Sequence, residues 1–297
     1  MRCFGAPCTW MLALVFPVLC AGPVGAQAPA APAFESESTK QREIYESRGE
    51  EVPQGYVIDR SLLSYAFVLP AEFTRTLASL GPDERWLDIG AGEGRAILDY
   101  ETSRHDVILR GHNGRKAKAV AMSIEDRRGP RWHDTAAKLG PDQIRYLVGR
   151  RFREYSPAEL GRFQLITDVV GAFSYTRFLS GFMQRALTML EPNGTLYTVL
   201  QDVHGEAGTN RPFYPDAPFL TELVKSDGSE LKVCTWLKSI TCAEVTCELK
   251  PAWTPPIEVY RVRKTCDAVT VPALELTHFQ AGTPPERRFR LVGDSQR

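Results

Sequence analysis

Between residues 59 and 80 the apolar side chains recur at helical spacing, with Leu62, Leu63, Ala66 and Phe67 in one group and Phe73, Leu77 and Leu80 in another. Such a repeat places its members on one face of a helix. Pro70 stands between the groups and removes a backbone donor, so the pattern predicts two helices with a break. Beyond Pro82 the period shortens. Brief apolar runs at 86–90, 117–124, 144–148, 163–169 and 194–200 predict strands, and helical stretches at 94–100, 134–139 and 178–190 fall between them. This alternation predicts an α/β domain, a doubly wound and mostly parallel sheet with helices on both faces. Glu191-Pro192-Asn193-Gly194 is expected to stop the last of these helices and turn the chain into a strand. Further on, 219–225 reads as one more helix, and 231–240, 243–248 and 257–263 read as strands added antiparallel to the sheet edge.

The first 26 residues follow another rule. Arg2 precedes an apolar run over 10–19, and Val24-Gly25-Ala26 precedes Gln27, the arrangement of a secretory signal with a small-residue cleavage site. The run is shorter than the roughly 20 residues that span a bilayer. Two other readings of this segment stand beside it: an uncleaved apolar anchor, and lipid attachment at Cys20, which bulky Leu19 opposes. The expected localisation is therefore export, periplasmic or secreted, with no membrane span in the mature protein. The expected organisation is a signal peptide at 1–26, a disordered alanine- and proline-rich tether at 27–40, an N-terminal helical cap at 41–80, a cofactor-binding core at 81–215 and a C-terminal extension at 216–297.

Composition narrows the classes of partner. With 297 residues and 43% hydrophobic content the chain can bury a large core. Lysine plus arginine balances aspartate plus glutamate at 36 each, so charge gives no attraction to a polyanion and nucleic acid is not an expected partner. Three of the seven cysteines lie in the signal segment. The other four, Cys234, Cys242, Cys247 and Cys266, cluster near the C-terminus. An even number in one region of an exported chain points to two disulfides, with three connectivities open. A zinc site is the rival reading, although the spacings lack paired C-x-x-C hooks.

The run richest in chemistry is Trp86-Leu87-Asp88-Ile89-Gly90-Ala91-Gly92-Glu93-Gly94-Arg95, which ends a predicted strand and opens a predicted helix. Glycines at alternate positions let the chain turn sharply and let a ligand come close to the main chain, while the helix start offers amides and a positive dipole end. A dinucleotide fingerprint would carry its third glycine where Arg95 stands, and no Gly-Lys-Ser or Gly-Lys-Thr follows to make a phosphate loop.

The run resembles motif I of the class I S-adenosylmethionine-dependent methyltransferases, a Rossmann-like family. The resemblance extends to the strand at 120–125, to Phe163-Gln164-Leu165-Ile166-Thr167-Asp168 and to the stretch from Leu187 to Leu196, about 80–200 in all. It implies S-adenosyl-L-methionine as cofactor, held by Asp88, Gly90, Ala91, Gly92 and Gly94 on its methionine side. It also implies an acid at the end of the second strand for the ribose. The family pattern would set that acid near Ser123, and the nearest carboxylates are Glu125 and Asp126. Glu125 is the expected ribose ligand, because a carboxylate accepts two hydrogen bonds from a diol.

Methyl transfer from a sulfonium needs donor and acceptor held in line more than it needs covalent help. For a hydroxyl or amine acceptor a base is useful, and Asp168 and Tyr175 are the candidates, with His204 behind them. Asp168 reads equally well as a loop cap, and Tyr175 and His204 as packing or surface residues. The acceptor, small molecule or protein, is not specified by these residues. A second function class stands beside the enzyme: an exported, non-catalytic binding or scaffold domain that retains the fold. Ser123 in place of an acid favours it, as does a cofactor made in the cytoplasm.

Overall fold

The computed structural model describes residues 59–102, 109, 116–124, 126–201, 221–251, 257–280 and 285–293. The signal segment, the tether, the start of the helical cap, Glu125 and His204 lie outside the described residues. Among the described residues, no helix is long and apolar enough to cross a membrane.

Two helices, α1 (Leu62–Val68) and α2 (Glu72–Ser79), precede the first strand, and Pro70 lies in the break between them. The chain then alternates through β1 (Arg85–Ile89), α3 (Arg95–Glu101), β2 (Lys118–Ser123), α4 (Pro130–Leu139) and β3 (Ile144–Val148). A single 3-10 turn and the one-turn α5 (Pro157–Leu160) lead into β4 (Phe163–Asp168). The short α6 (Ala172–Tyr175) and the longer α7 (Leu179–Met189) then lead to β5 (Leu190–Gln201). These strands form the body of a seven-stranded sheet, and β3, β2, β1, β4 and β5 lie side by side in that order, all parallel.

The centre of the sheet, β2, β1, β4 and β5, is buried on both faces, which is why these strands read as short continuous apolar runs. Leu87 and Ile89 of β1 enter one core with Val120, Met122, Ile166 and Leu196. Trp86, one residue before Leu87, enters the opposite core with Ala119, Ala121, Leu165 and Tyr197. Alternate residues of one strand thus serve two layers, the requirement of a Rossmann-like, doubly wound α/β fold.

The C-terminal part corrects two expectations. Of 219–225, the described residues form not a helix but a strand, β6 (Thr221–Val224), which pairs with β7 (Glu230–Leu231). The segment 231–240, read as a strand, is mostly α8 (Val233–Lys238). Val233, Trp236 and Leu237 recur at helical spacing and are buried, and that face won over the strand preference of Val, Trp and Thr. The strands β8 (Ala243–Lys250) and β9 (Ile257–Lys264) do join the large sheet, β9 antiparallel against β5 and β8 outside it. Then β10 (Leu274–Gln280) and β11 (Glu286–Leu291) build a second sheet in the order β10-β11-β6-β7. The expected antiparallel edge is therefore only half of this region. The turn expected at 191–194 is also absorbed: β5 starts at Leu190, and Asn193 takes a positive φ of 68° within the strand, beside a register shift against β4.

All four cysteines are paired, Cys234 with Cys247 and Cys242 with Cys266. The first bond ties α8 to β8. The second joins the approach to β8 to the exit of β9.

Candidate functional site

The strand order reverses between β1 and β4, and in open α/β sheets ligands usually bind outside the carboxyl ends of the strands at such a point. The glycine loop starts at this point. Gly90 and Ala91 both donate their amides to Met122 O at 2.9 Å, which bends the chain away from β1. Gly90 and Gly94 have φ of 74° and 73°, a region costly for other residues. A Cβ on Gly90 would lie 2.9 Å from the Cα of Gly171, and one on Gly94 would lie 2.4 Å from the ring of Trp132. These two glycines are therefore required by the chain's own packing, before any ligand is considered.

Asp88 and Asp168 stand at the ends of β1 and β4, and both are fully buried. The Tyr65 hydroxyl of α1 donates to both oxygens of Asp88, at 2.8 and 3.0 Å, and Thr167 donates to Oδ1 at 2.7 Å. The indole of Trp86 donates in turn to Thr167 Oγ1 at 2.8 Å. Burial pushes the Asp88 carboxyl up to about 7, and the two hydroxyls hold it from rising further. The Tyr65 phenol is raised well above its ordinary range by burial and by the adjoining Asp88.

Asp168 is served on one side only. Its Oδ2 accepts from the Phe173 amide at 3.1 Å and from Thr198 Oγ1 at 2.9 Å, so the carboxylate does cap the start of α6. Its Oδ1 is buried and has no hydrogen-bond partner among the described residues. Burial raises this carboxyl too, to about 7. A Cβ on Gly171 would fall 2.6 Å from that orphaned oxygen and 2.7 Å from Ile89 O, so glycine keeps a small polar niche between β1 and β4. A buried acceptor without a donor is costly, and a ligand carrying an N–H or ammonium group would satisfy it. Asp88 differs in that both of its oxygens already accept from hydroxyls of the chain.

Of the residues singled out in the sequence, Gly90, Ala91, Gly92 and Gly94 lie together in one loop that follows Asp88 at the end of β1, with Asp168 on the adjacent strand. Tyr175 ends α6, half-buried, and the next carbonyl, Thr176 O, accepts from the buried Arg287 guanidinium at 2.7 Å. Burial lowers Arg287 to about 9, partly offset by Asp168 and Tyr175. Ser123 is buried at the end of β2 and hydrogen-bonds the Tyr146 phenol. Asp126 is turned to solvent and held by Arg128 at 2.8 and 2.5 Å, which lowers its carboxyl to about 2. Sequence reasoning missed Asp59, Tyr65, Tyr146 and Arg287. Each acts across a long sequence separation, and the helical spacing expected over Leu62, Leu63, Ala66 and Phe67 pointed to another face: Leu63 and Phe67 are exposed, whereas Leu62, Tyr65 and Val68 are buried.

No protein-family model matches the chain, and no curated protein matches it. Several solved structures are similar. Cofactor-bound Rv0187 from MTB is 13% identical over 82% of this chain and 94% of its own, with a TM-score of 0.42. The N-methyltransferase NodS from Bradyrhizobium japonicum WM9 is 14% identical over 80% and 99%, with a TM-score of 0.39. An rRNA methylase from Streptococcus thermophilus is 13% identical over 66% and 95%, with a TM-score of 0.37. At these identities and scores the likeness carries no statement about the reaction, and the fold rests on the strand order and registers of the chain itself.

Proposed function

We propose that the protein is an exported S-adenosylmethionine-dependent methyltransferase, acting on a small-molecule or protein acceptor. The observation that carries the reading lies at the carboxyl ends of β1 and β4, where a glycine turn opened by an acid adjoins a buried carboxylate oxygen that has no donor among the described residues. The methionine ammonium of S-adenosylmethionine is a donor of the required sign for Asp168 Oδ1. The two disulfides fit an oxidising compartment.

When bound, the cofactor supplies an electrophilic methyl group on a sulfonium. The loop from Asp88 to Gly94 would hold its methionine side and Glu125 its ribose hydroxyls. Fixing donor and acceptor in line can lower a barrier by roughly 7–11 kcal/mol, and the protein's main task is this orientation. Where the acceptor is a hydroxyl or amine, Asp168 is suited to take its proton, because a carboxyl near 7 exchanges protons close to neutral pH. Tyr175, at the end of α6, would border the acceptor.

A specific observation supports a second reading, a non-catalytic domain that retains the fold: both oxygens of Asp88 are already engaged by hydroxyls of its own chain. Calorimetry on mature protein with S-adenosylmethionine and with its demethylated product separates the two. The enzyme reading expects saturable binding of both, lost in Gly92→Val, whose side chain would enter the turn at a φ of 56°. No binding by the wild-type protein would favour the second reading, and an unchanged dissociation constant in Gly92→Val would remove the loop from the site.

A further inference from the structure

The peptide between Gly92 and Glu93, at the tip of the glycine loop, is held from both sides. Its carbonyl, Gly92 O, accepts from the Tyr146 hydroxyl at 2.5 Å, and its amide, Glu93 N–H, donates to Asp59 Oδ1 at 2.8 Å. Arg127 connects the two holders. Its guanidinium meets Asp59 Oδ2 at 3.4 Å, and its own backbone amide donates to the Tyr146 hydroxyl at 3.4 Å. The result is a closed circuit around one peptide plane, drawn from four separate places: the segment before α1, the glycine loop, the exit of β2 and the middle of β3. Trp132 packs edge-on against the Tyr146 ring at 5.0 Å and keeps it in place.

Gly92 places no Cβ against rotation on its side of this peptide, so the turn is less fixed there than between two residues with side chains. Here a flip would break two hydrogen bonds at once. We propose that Asp59, Arg127 and Tyr146 form a latch on the Gly92–Glu93 peptide, positioning the glycine loop for the donor. This inference rests on the function proposed above. The latch also joins the two places which that reading gives to the cofactor, the glycine loop and the exit of the second strand. None of the three residues needs to touch the ligand. They act by fixing which way the loop's amide and carbonyl point before it arrives, so that binding bears no cost of ordering the turn.

The test has a ligand-free arm and a binding arm. In unliganded protein the Glu93 amide should exchange slowly with deuterium, and Asp59→Ala should accelerate that exchange while amides in the middle of β1 keep their protection. Equal exchange in the two proteins would overturn the latch. In the binding arm, Asp59→Asn and Tyr146→Phe should each weaken S-adenosylmethionine binding roughly five- to tenfold. The double variant should lose about as much as either single one, because both act on one peptide. Two wild-type affinities, effects that multiply, or affinity losses accompanied by a comparable drop in melting temperature would each overturn the positioning role. If wild-type protein binds no cofactor, the functional reading fails and takes that role with it, whereas the exchange arm still decides whether the latch exists.

Discussion

The glycine at position 94 offers a sharp separation between packing and ligand binding. Gly94→Ala adds one methyl group at a φ of 73°, which for a residue with a side chain costs about 1–2 kcal/mol. The new Cβ would sit 2.4 and 2.7 Å from two ring carbons of Trp132, well inside contact distance. Trp132 cannot retreat freely, since it is buried and packed edge-on against Tyr146, and overpacking of this kind costs about 1–3 kcal/mol. Together these give a loss of about 2–5 kcal/mol, or roughly 5–15 °C in melting temperature for a domain of this size. The assay is thermal unfolding of the unliganded protein, so no cofactor enters the result. Trp132→Leu in the Gly94→Ala background should recover part of the loss by removing the overlapping ring. Gly181→Ala is the control of opposite sign. It lies inside α7, its Cβ would make only an ordinary 3.7 Å contact, and alanine should stabilise it by about 0.5–1 kcal/mol. A Gly94→Ala protein that melts within about 2 °C of wild type would refute the reasoning and return this glycine to a purely ligand-facing role.

Asp168→Asn should change how stability depends on pH. A carboxyl raised by burial to about 7 contributes stability that is fully present below its unfolded value near 4 and is lost as pH rises through 7. The variant should therefore show a shallower decline between pH 4 and 7 and be the more stable protein at pH 8; parallel pH profiles would contradict this. For the ribose contact, Glu125→Gln should weaken cofactor binding by about one to two powers of ten, on the roughly 1.5–3 kcal/mol of a hydrogen bond to a charged group. Asp126→Asn, whose carboxylate is already engaged by Arg128, should leave the dissociation constant unchanged, and the reverse result would shift the second-strand register by one. Peptide mapping without reductant should recover Cys234 joined to Cys247 and Cys242 joined to Cys266, with no free thiol to alkylate among the four. Four alkylated cysteines would remove the disulfides.

What the sequence determined by itself was whatever local periodicity encodes. The parallel strands were legible as short apolar runs because β1, β2, β4 and β5 are buried along most of their length, with only the edge strand β3 partly open, and the glycine loop was legible because alternate glycines after a strand have few other uses. Leu62 to Leu80 displayed two helices and their break for the same reason: spacing and a proline act within a few residues. Tertiary structure decided the remainder. Thr221–Val224 is a strand because β11 and β7 pair with it, and Val233–Lys238 is a helix because Val233, Trp236 and Leu237 share a buried side; the local preferences of both stretches left either outcome open. The site divides in the same way. Asp88, the glycines and Asp168 could be picked out by type and position. Their partners could not, since Tyr65 reaches Asp88 across 23 positions, Asp59 reaches Glu93 across 34 and Tyr146 reaches Gly92 across 54. The burial that lifts Asp88 and Asp168 toward 7 is likewise a property of the assembled core. A hydrogen bond between distant residues leaves no periodic trace in the chain, because it depends on where the sheet brings two segments together and not on what lies beside either one.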